Sequence, residues 1–331
     1  DDLFYRTLRI PVETVLGRDG VGLADCAIAE SKFEKGEDIS TRVLSLVSRI
    51  GDIRRSGTPD MEFAVVGLLA RSQLAAGQAA DARSVSSLRD RYAEEGQTRF
   101  LPNMNALLCR IDLHLGDTDR VEAWYRESAP RDPLHLNVMK RYQYLTQAMT
   151  ELAEGRPEAA LLTLSPLEPY IAACARHIDG IHLRAVCAIA RYRMKDSAWR
   201  ADLTAALDEA AEYRFIRTLS DYGAAILPLF EGLPWKRWYK SLLTDVRAQA
   251  AFYPLFLQPP MTPGEALTAT ELQVLRLLCA DKSNAEIGRI MDIKLPTVKT
   301  HVSHVLAKLG VSRRSEAKTA AKKRWLIPDH L

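Results

Sequence analysis

The chain has 331 residues, 47% of them hydrophobic and 26% charged, with a formal net charge of +3. That length predicts two or three domains with a substantial core, and the composition is that of a globular protein rather than a disordered or fibrous one. No apolar run approaches the roughly 18 residues of a membrane span, and no basic-then-apolar leader opens the chain, so membrane partners are excluded and a cytoplasmic location is expected.

The chain opens Asp1-Asp2-Leu3 without a methionine, which fits a piece of a longer protein. Gly17-Arg18-Asp19-Gly20-Val21-Gly22 is rich in glycine. No strand pattern precedes it and no Gly-Lys-Ser/Thr follows, so it is not a phosphate loop. From about residue 20 to 250 the apolar residues recur with helical spacing, and a phrase repeats in which an apolar helix meets a break and a second apolar helix follows. The breaks fall at Gly36, Gly77, Gly116, Gly155, Lys195 and Gly232, at intervals of 41, 39, 39, 40 and 37 residues. Seven residues before each break stands a small side chain: Ala29, Ala70, Cys109, Ala148, Ala188 and Ala225. Three before it stands a large one: Phe33, Leu74, Leu113, Leu152, Tyr192 and Leu229.

Residues four apart share a helix face, so the small residue admits a neighbouring helix and the large one fills the space below the crossing. A lone helical hairpin cannot bury its apolar face, whereas a stack of them can. The spacing therefore predicts a right-handed superhelix of five or six tetratricopeptide-like hairpins. Its concave surface would take a small-molecule or protein signal that the sequence does not name. The five cysteines form no Cys-x-x-Cys and no zinc-type cluster, and most of them read as small core side chains in a reducing compartment. In Pro234-Trp235-Lys236-Arg237-Trp238-Tyr239-Lys240 basic and aromatic residues interleave. The segment reads as a cap on the last hairpin, with rings inward and lysine stems over them, in preference to a ligand surface. No catalytic set, metal site or cofactor motif is present in the sequence, so an enzyme is not expected.

Four prolines fall within Pro254–Gly264 and break the helical pattern, predicting a semi-rigid linker over 254–266. The expected division is a helical-repeat body at 1–253, this linker, and a terminal module at 267–331. From Met261 onward twelve Lys/Arg oppose seven Asp/Glu, so the tail carries +5 and the remainder −2. A basic module on a near-neutral body points to a polyanion partner for the tail alone.

The tail is dense in helix-boundary signals. Thr268-x-x-Glu271 and Ser283-x-x-Glu286 are capping boxes opening two helices, to about Ala280 and Met291. Ala285, Ile287 and Ile290 are the expected inward residues of the second. A third helix starts at Pro296 and stops at Gly310, with Val298, Val302, Val305, Leu306 and Leu309 inward. Lys299, Thr300, Ser303 and Ala307 lie on another face. A fourth runs from about Ser315 to Arg324. Two helices joined by a four-residue turn, the second with a small polar face near its start, describe a helix-turn-helix.

This stretch resembles the LuxR/NarL-type DNA-binding domain of bacterial regulators. The residues carrying the likeness are Leu267-Thr268, Glu271, Val274–Leu278, Ser283-Asn284, Glu286-Ile287, Thr297-Val298-Lys299, His301-Val302, Leu306 and Lys308–Val311. The resemblance implies base contacts from Lys299, Thr300 and Ser303. It implies phosphate or positioning contacts from Ser283, Asn284, Arg289, Thr297, His301 and Lys308, and a dimer contact through Ala317, Ala320 and Ala321. The implied partners are double-stranded promoter DNA, RNA polymerase and a second copy of the chain. Three positions depart from the family pattern: Lys294 replaces a capping Ser or Thr, the module opens Leu-Thr-Ala-Thr-Glu, and Ser303 stands where some members carry a base-contacting cation. The body is similar, more distantly, to the repeats of large ATP-dependent LuxR regulators of the maltose-regulon activator type. That likeness implies an NTPase module ahead of residue 1; the chain itself has no Walker motif.

The expected fold is therefore all-α, a tetratricopeptide-like superhelix followed by a four-helix LuxR-type domain. The expected function is a signal-responsive, DNA-binding transcriptional regulator. The alternative is a non-catalytic interaction adaptor whose terminal module docks or dimerises. The small polar face at Lys299, Thr300 and Ser303 favours the first, since a protein-docking face is richer in aromatic and apolar groups.

Overall fold

Left-handed residues punctuate the body and fix where each helix ends. In the computed structural model, which describes residues 2–37, 40–131, 136–137, 139–234, 237–250 and 267–323, Gly36, Gly77, Gly116, Gly155 and Lys195 have φ of 72°, 76°, 73°, 74° and 60°. At each, the following N–H donates to the carbonyl five residues back, from Glu37 to Lys32, Gln78 to Gln73, Asp117 to Asp112, Arg156 to Glu151 and Asp196 to Arg191, at 2.8–3.0 Å. This bond satisfies an orphan carbonyl and turns the chain into the next helix. The sixth expected break differs. Gly232 is absent from the left-handed set, and a Cβ there would lie 2.8 Å from the Trp199 ring. Its role is close packing.

The elements follow in hairpins. α1 (Asp2–Leu16) packs on α2 (Leu23–Glu34), which is followed by α3 (Ser40–Ser56). Then come α4 (Pro59–Ala75) with α5 (Ala79–Ala82) and α6 (Val85–Glu94), and α7 (Leu101–Leu115) with α8 (Thr118–Glu127). α9 (Lys140–Ala153) returns through α10 (Pro157–Leu164) and α11 (Leu167–Ala173), and α12 (His177–Arg193) through α13 (Trp199–Tyr213). α14 (Arg217–Ser220), α15 (Leu227–Phe230) and α16 (Arg237–Ala250) end the body. Among the described residues there is no strand, and no helix is long and apolar enough to cross a membrane.

All six small residues of the repeat are buried, from Ala29 to Ala225, and five of the six large ones are buried with them. Tyr192 is the exception at 37% exposed. It meets the Trp199 ring edge-on at 5.4 Å, between the end of α12 and the start of α13. A second set of left-handed residues, Gly96, Ala175 and Arg214, ends the returning helices. Of the cysteines, Cys26, Cys109 and Cys279 are buried, Cys187 half-buried and Cys174 exposed. Tyr239 of the aromatic segment is buried; Trp235 and Lys236, like the whole of 254–266, lie outside the described residues.

The array turns far enough for its first hairpin to meet its last. The Ile216 N–H donates to the Glu34 carbonyl at 2.8 Å, and Arg217 Nε donates to the Phe33 carbonyl at 3.4 Å. Thr218 Oγ1 donates to Glu34 Oε2 at 3.1 Å. The buried Glu34 carboxylate also pairs with Arg71, and the Arg71 and Arg217 guanidinium groups lie 4.8 and 4.7 Å from the Phe33 ring centre. The two ends of the array are thus held against each other.

Candidate nucleic-acid interface

The terminal module is built from α17 (Ala269–Cys279), α18 (Asn284–Met291), α19 (Leu295–Lys308) and α20 (Arg314–Lys323). Both capping boxes form. The Thr268 N–H donates to Glu271 Oε2 at 2.8 Å while the Glu271 N–H donates to Thr268 Oγ1 at 3.2 Å. Ser283 and Glu286 do the same at 2.8 and 3.3 Å; the Ser283 hydroxyl also donates to Glu286 Oε2 at 2.7 Å, and this bond, with that from the Ser283 N–H, holds the Glu286 carboxyl below its ordinary range. Lys294 provides no side-chain cap for α19, whose first turn carries Pro296.

The core is Leu272, Val274, Leu275, Leu278, Cys279, Ile287, Val298, Val305, Leu309, Ala317 and Ala321. Val302 and Leu306 pack against it, as the α19 stripe predicts. Two expectations are corrected for α18: Ala285 is exposed, and Ile290 is 54% exposed. The reason is the crossing with α19. Gly288 comes so close to the next segment that a Cβ would sit 2.9 Å from the Ile293 carbonyl and 3.5 Å from Val298. The inward face of α18 is therefore Ile287, Gly288 and Met291, and Ile290 points the other way.

A second correction concerns α20. Ala317 and Ala321 are fully buried in the module's own core, and Ala320 is half-buried against it. The smooth side of this helix packs on α17, so Ala317 and Ala321 have no surface left for a dimer contact.

The remaining predicted residues fall around the free side of α19 and the start of α18. Lys299, Thr300 and Ser303 are exposed on α19, with Thr297 exposed and His301 half-buried beside them. The Thr300 hydroxyl donates to the Pro296 carbonyl at 3.1 Å, which leaves its methyl group and a lone pair outward. Ser283 and Arg289 are exposed, and Asn284 is half-buried. Two of the set are engaged within the module. Asn284 Oδ1 accepts from Arg314 Nη1 at 3.2 Å, and Arg314 also donates to the Lys282 carbonyl. Lys308 Nζ donates to the buried Glu271 carboxylate at 2.7 Å. Although burial alone would raise it, the Glu271 carboxyl sits below its ordinary range because Lys308 and Thr268 donate to it.

Arg289, Lys294, Lys299 and Arg313 have no carboxylate within ion-pair distance among the described residues, whereas Lys282 and Lys318 lie 3.8 and 4.0 Å from Glu286 and Asp281. Lys294, Arg313 and Arg314 escaped the residue-by-residue reading; only the cation excess of the tail hinted at them. A helix with a buried stripe, a small polar opposite face and unpaired cations around it can enter a groove and meet phosphates.

Two family models match the chain. The one described as Bacterial regulatory proteins, luxR family, matches residues 265–321, and the one described as MalT-like TPR region matches residues 26–234. Among curated proteins, the Transcriptional regulatory protein LiaR of Bacillus subtilis (strain 168) is 43% identical over 65 residues, 20% of this chain and 31% of LiaR. The Response regulator protein VraR of Staphylococcus aureus (strain Mu3 / ATCC 700698) is 45% identical over 53 residues, 16% of this chain and 25% of VraR. The chain thus spans less than a third of either relative. No solved structure matches it.

Proposed function

The chain belongs to the MalT-like TPR-region family and ends in a luxR-family regulatory domain, and from that premise we propose that it regulates transcription by sequence-specific binding of promoter DNA in response to a signal on its repeat body. One observation carries the reading. α19 buries Val298, Val305 and Leu309 while leaving Lys299, Thr300 and Ser303 exposed one turn apart. In this role Lys299 donates to guanine N7 and O6, and Thr300 and Ser303 offer short bonds or methyl contact to neighbouring bases. Ser283, Arg289, Thr297 and His301 contact phosphates, joined by the unpaired Lys294 and Arg313. Asn284 and Lys308 act as positioning residues through Arg314 and Glu271. The regulator works without a catalytic step of its own, in the cytoplasm, as a homodimer on DNA and in contact with RNA polymerase. The dimer contact uses surface other than Ala317 and Ala321.

The test is selection of genomic fragments by the chain at two salt concentrations, with Lys299→Ala alongside. An enriched motif is expected, bound more weakly at the higher salt as released counterions dictate. Lys299→Ala is expected to lose about 1–3 kcal/mol of specific binding and relax preference at one base. No enriched motif at either salt overturns the reading.

A further inference from the structure

The repeat array holds a cavity of about 560 Å³, open to solvent past Cys174, Ala175 and His177, whose walls run from Glu30 in the first hairpin to Phe215 near the last, within the range of small-molecule sites. Leu145, Ile178 and Phe215 add apolar surface to an otherwise polar lining. Four arginines face it, and three are matched by carboxylates. Arg71 pairs with Glu34, while Arg141 and Arg176 share Asp179, Arg141 at 2.6 Å. Arg110 has no carboxylate within ion-pair distance among the described residues. Its Nε donates to Thr146 Oγ1 at 2.8 Å and its Nη2 to the Tyr142 carbonyl at 3.4 Å, and its guanidinium lies 3.9 Å from the Tyr142 ring centre. That leaves Nη1 and one N–H of Nη2 without a partner. The same cavity is lined by the buried His182, its Nδ1 bound to the Tyr222 hydroxyl at 2.7 Å and its Nε2 without a partner among the described residues. Burial and the nearby Arg110 and Arg71 charges keep this imidazole neutral.

A guanidinium held flat by an aromatic ring, with an open fork in a walled cavity, matches one planar anion. We propose that this chamber binds a small organic monocarboxylate with a flat or apolar body, its carboxylate on Arg110 and its body against Leu145, Ile178 and Phe215. A single charge is the right number, because four guanidinium groups line the cavity against three carboxylates, Glu30, Glu34 and Asp179. A dianion would set surplus negative charge beside Glu34 and Asp179. Such a ligand joins Arg110 of α7 to Phe215, the neighbour of the Ile216 that bonds to Glu34, so its binding reports on that closure. The proposal rests on the reading of the body as the sensor of a regulator, and it names that sensor's ligand class.

The test is calorimetric titration of the full chain with phenylacetate and hexanoate, with phenylacetamide as the uncharged twin, and DNA binding measured on the same samples. At least one acid is expected to bind, and phenylacetamide at least about tenfold more weakly than phenylacetate. Arg110→Gln is expected to weaken the acid by about 10- to 100-fold, the worth of hydrogen bonds to a charged group, with DNA binding unchanged. Arg110→Lys, which keeps the charge and loses the fork, should fall between. If Arg110→Gln alters the circular dichroism, the acid-against-amide comparison on the unmodified chain decides. Binding of neither acid, equal binding of acid and amide, or undiminished binding to a folded Arg110→Gln chain overturns the proposal. Absence of DNA binding alongside acid binding instead sinks the regulator reading and leaves the chamber standing.

Discussion

Closure of the repeat array by Glu34 can be weighed by a single isosteric change. Glu34→Gln keeps the shape and the main-chain carbonyl that accepts from Ile216, and removes only the charge facing Arg71 and Thr218. Breaking one side of a buried ion pair costs about 3–5 kcal/mol, much of it from the stranded partner. Here the partner is not wholly stranded: the Arg71 side chain is 24% exposed, and Glu30 stays 3.8 Å from its Nη1. Solvent and that second carboxylate bring the expected loss to about 2–3 kcal/mol. Urea unfolding of the four chains in a cycle with Arg71→Met isolates the pair, with an expected coupling of about 1–3 kcal/mol. Hydrogen exchange at the Ile216 N–H reads the same closure from the other strand of the contact. In Glu34→Gln its protection should fall with the array's ends, though its own acceptor is intact. Additive single effects, together with unchanged Ile216 protection, would refute the argument that this buried carboxylate holds the ends together.

Three further expectations follow from the same geometry. Burial, reinforced by Arg110, pushes His114 down to about 3 and His182 well below the usual imidazole range. The unfolded chain takes up those protons near pH 6.5, so the stability they contribute is complete above that pH and declines below it, by up to about 1.4 kcal/mol per pH unit for each histidine. The half-buried His114 gives less than this bound; a urea midpoint that does not fall between pH 7.5 and 5 would refute the assignment. Lys308→Met should destabilise the terminal module by about 1–3 kcal/mol, by leaving the buried Glu271 short of a donor. It should leave the salt dependence of DNA binding intact, whereas a slope reduced by about one charge would make Lys308 a phosphate contact instead. Ala317→Leu should overpack the module and cost about 1–3 kcal/mol in its melting; unchanged melting with an altered oligomeric state would restore this residue to a dimer surface.

What could be read in advance depended on how local the deciding interaction is. The helices of the terminal module were legible because both capping boxes close within four residues, and because the Val298–Val305–Leu309 stripe follows helical spacing. The inward face of α18 was misread because it is set by Gly288 against Ile293 and Val298, a crossing that no periodicity in an eight-residue helix encodes. In the body, breaks marked by glycine stood out, while Ala175 and Arg214 take the same left-handed turn with nothing in their side chains to announce it. Closure is the extreme case, since Glu34 and Thr218 are 184 residues apart. The same holds for Arg110. Each arginine of the cavity looks alike in sequence, and only the fold assigns carboxylates to three of them and leaves the fourth with an open fork. A repeat pattern therefore reveals that an interior exists, whereas the chemistry of that interior is decided by which hairpins the superhelix brings face to face.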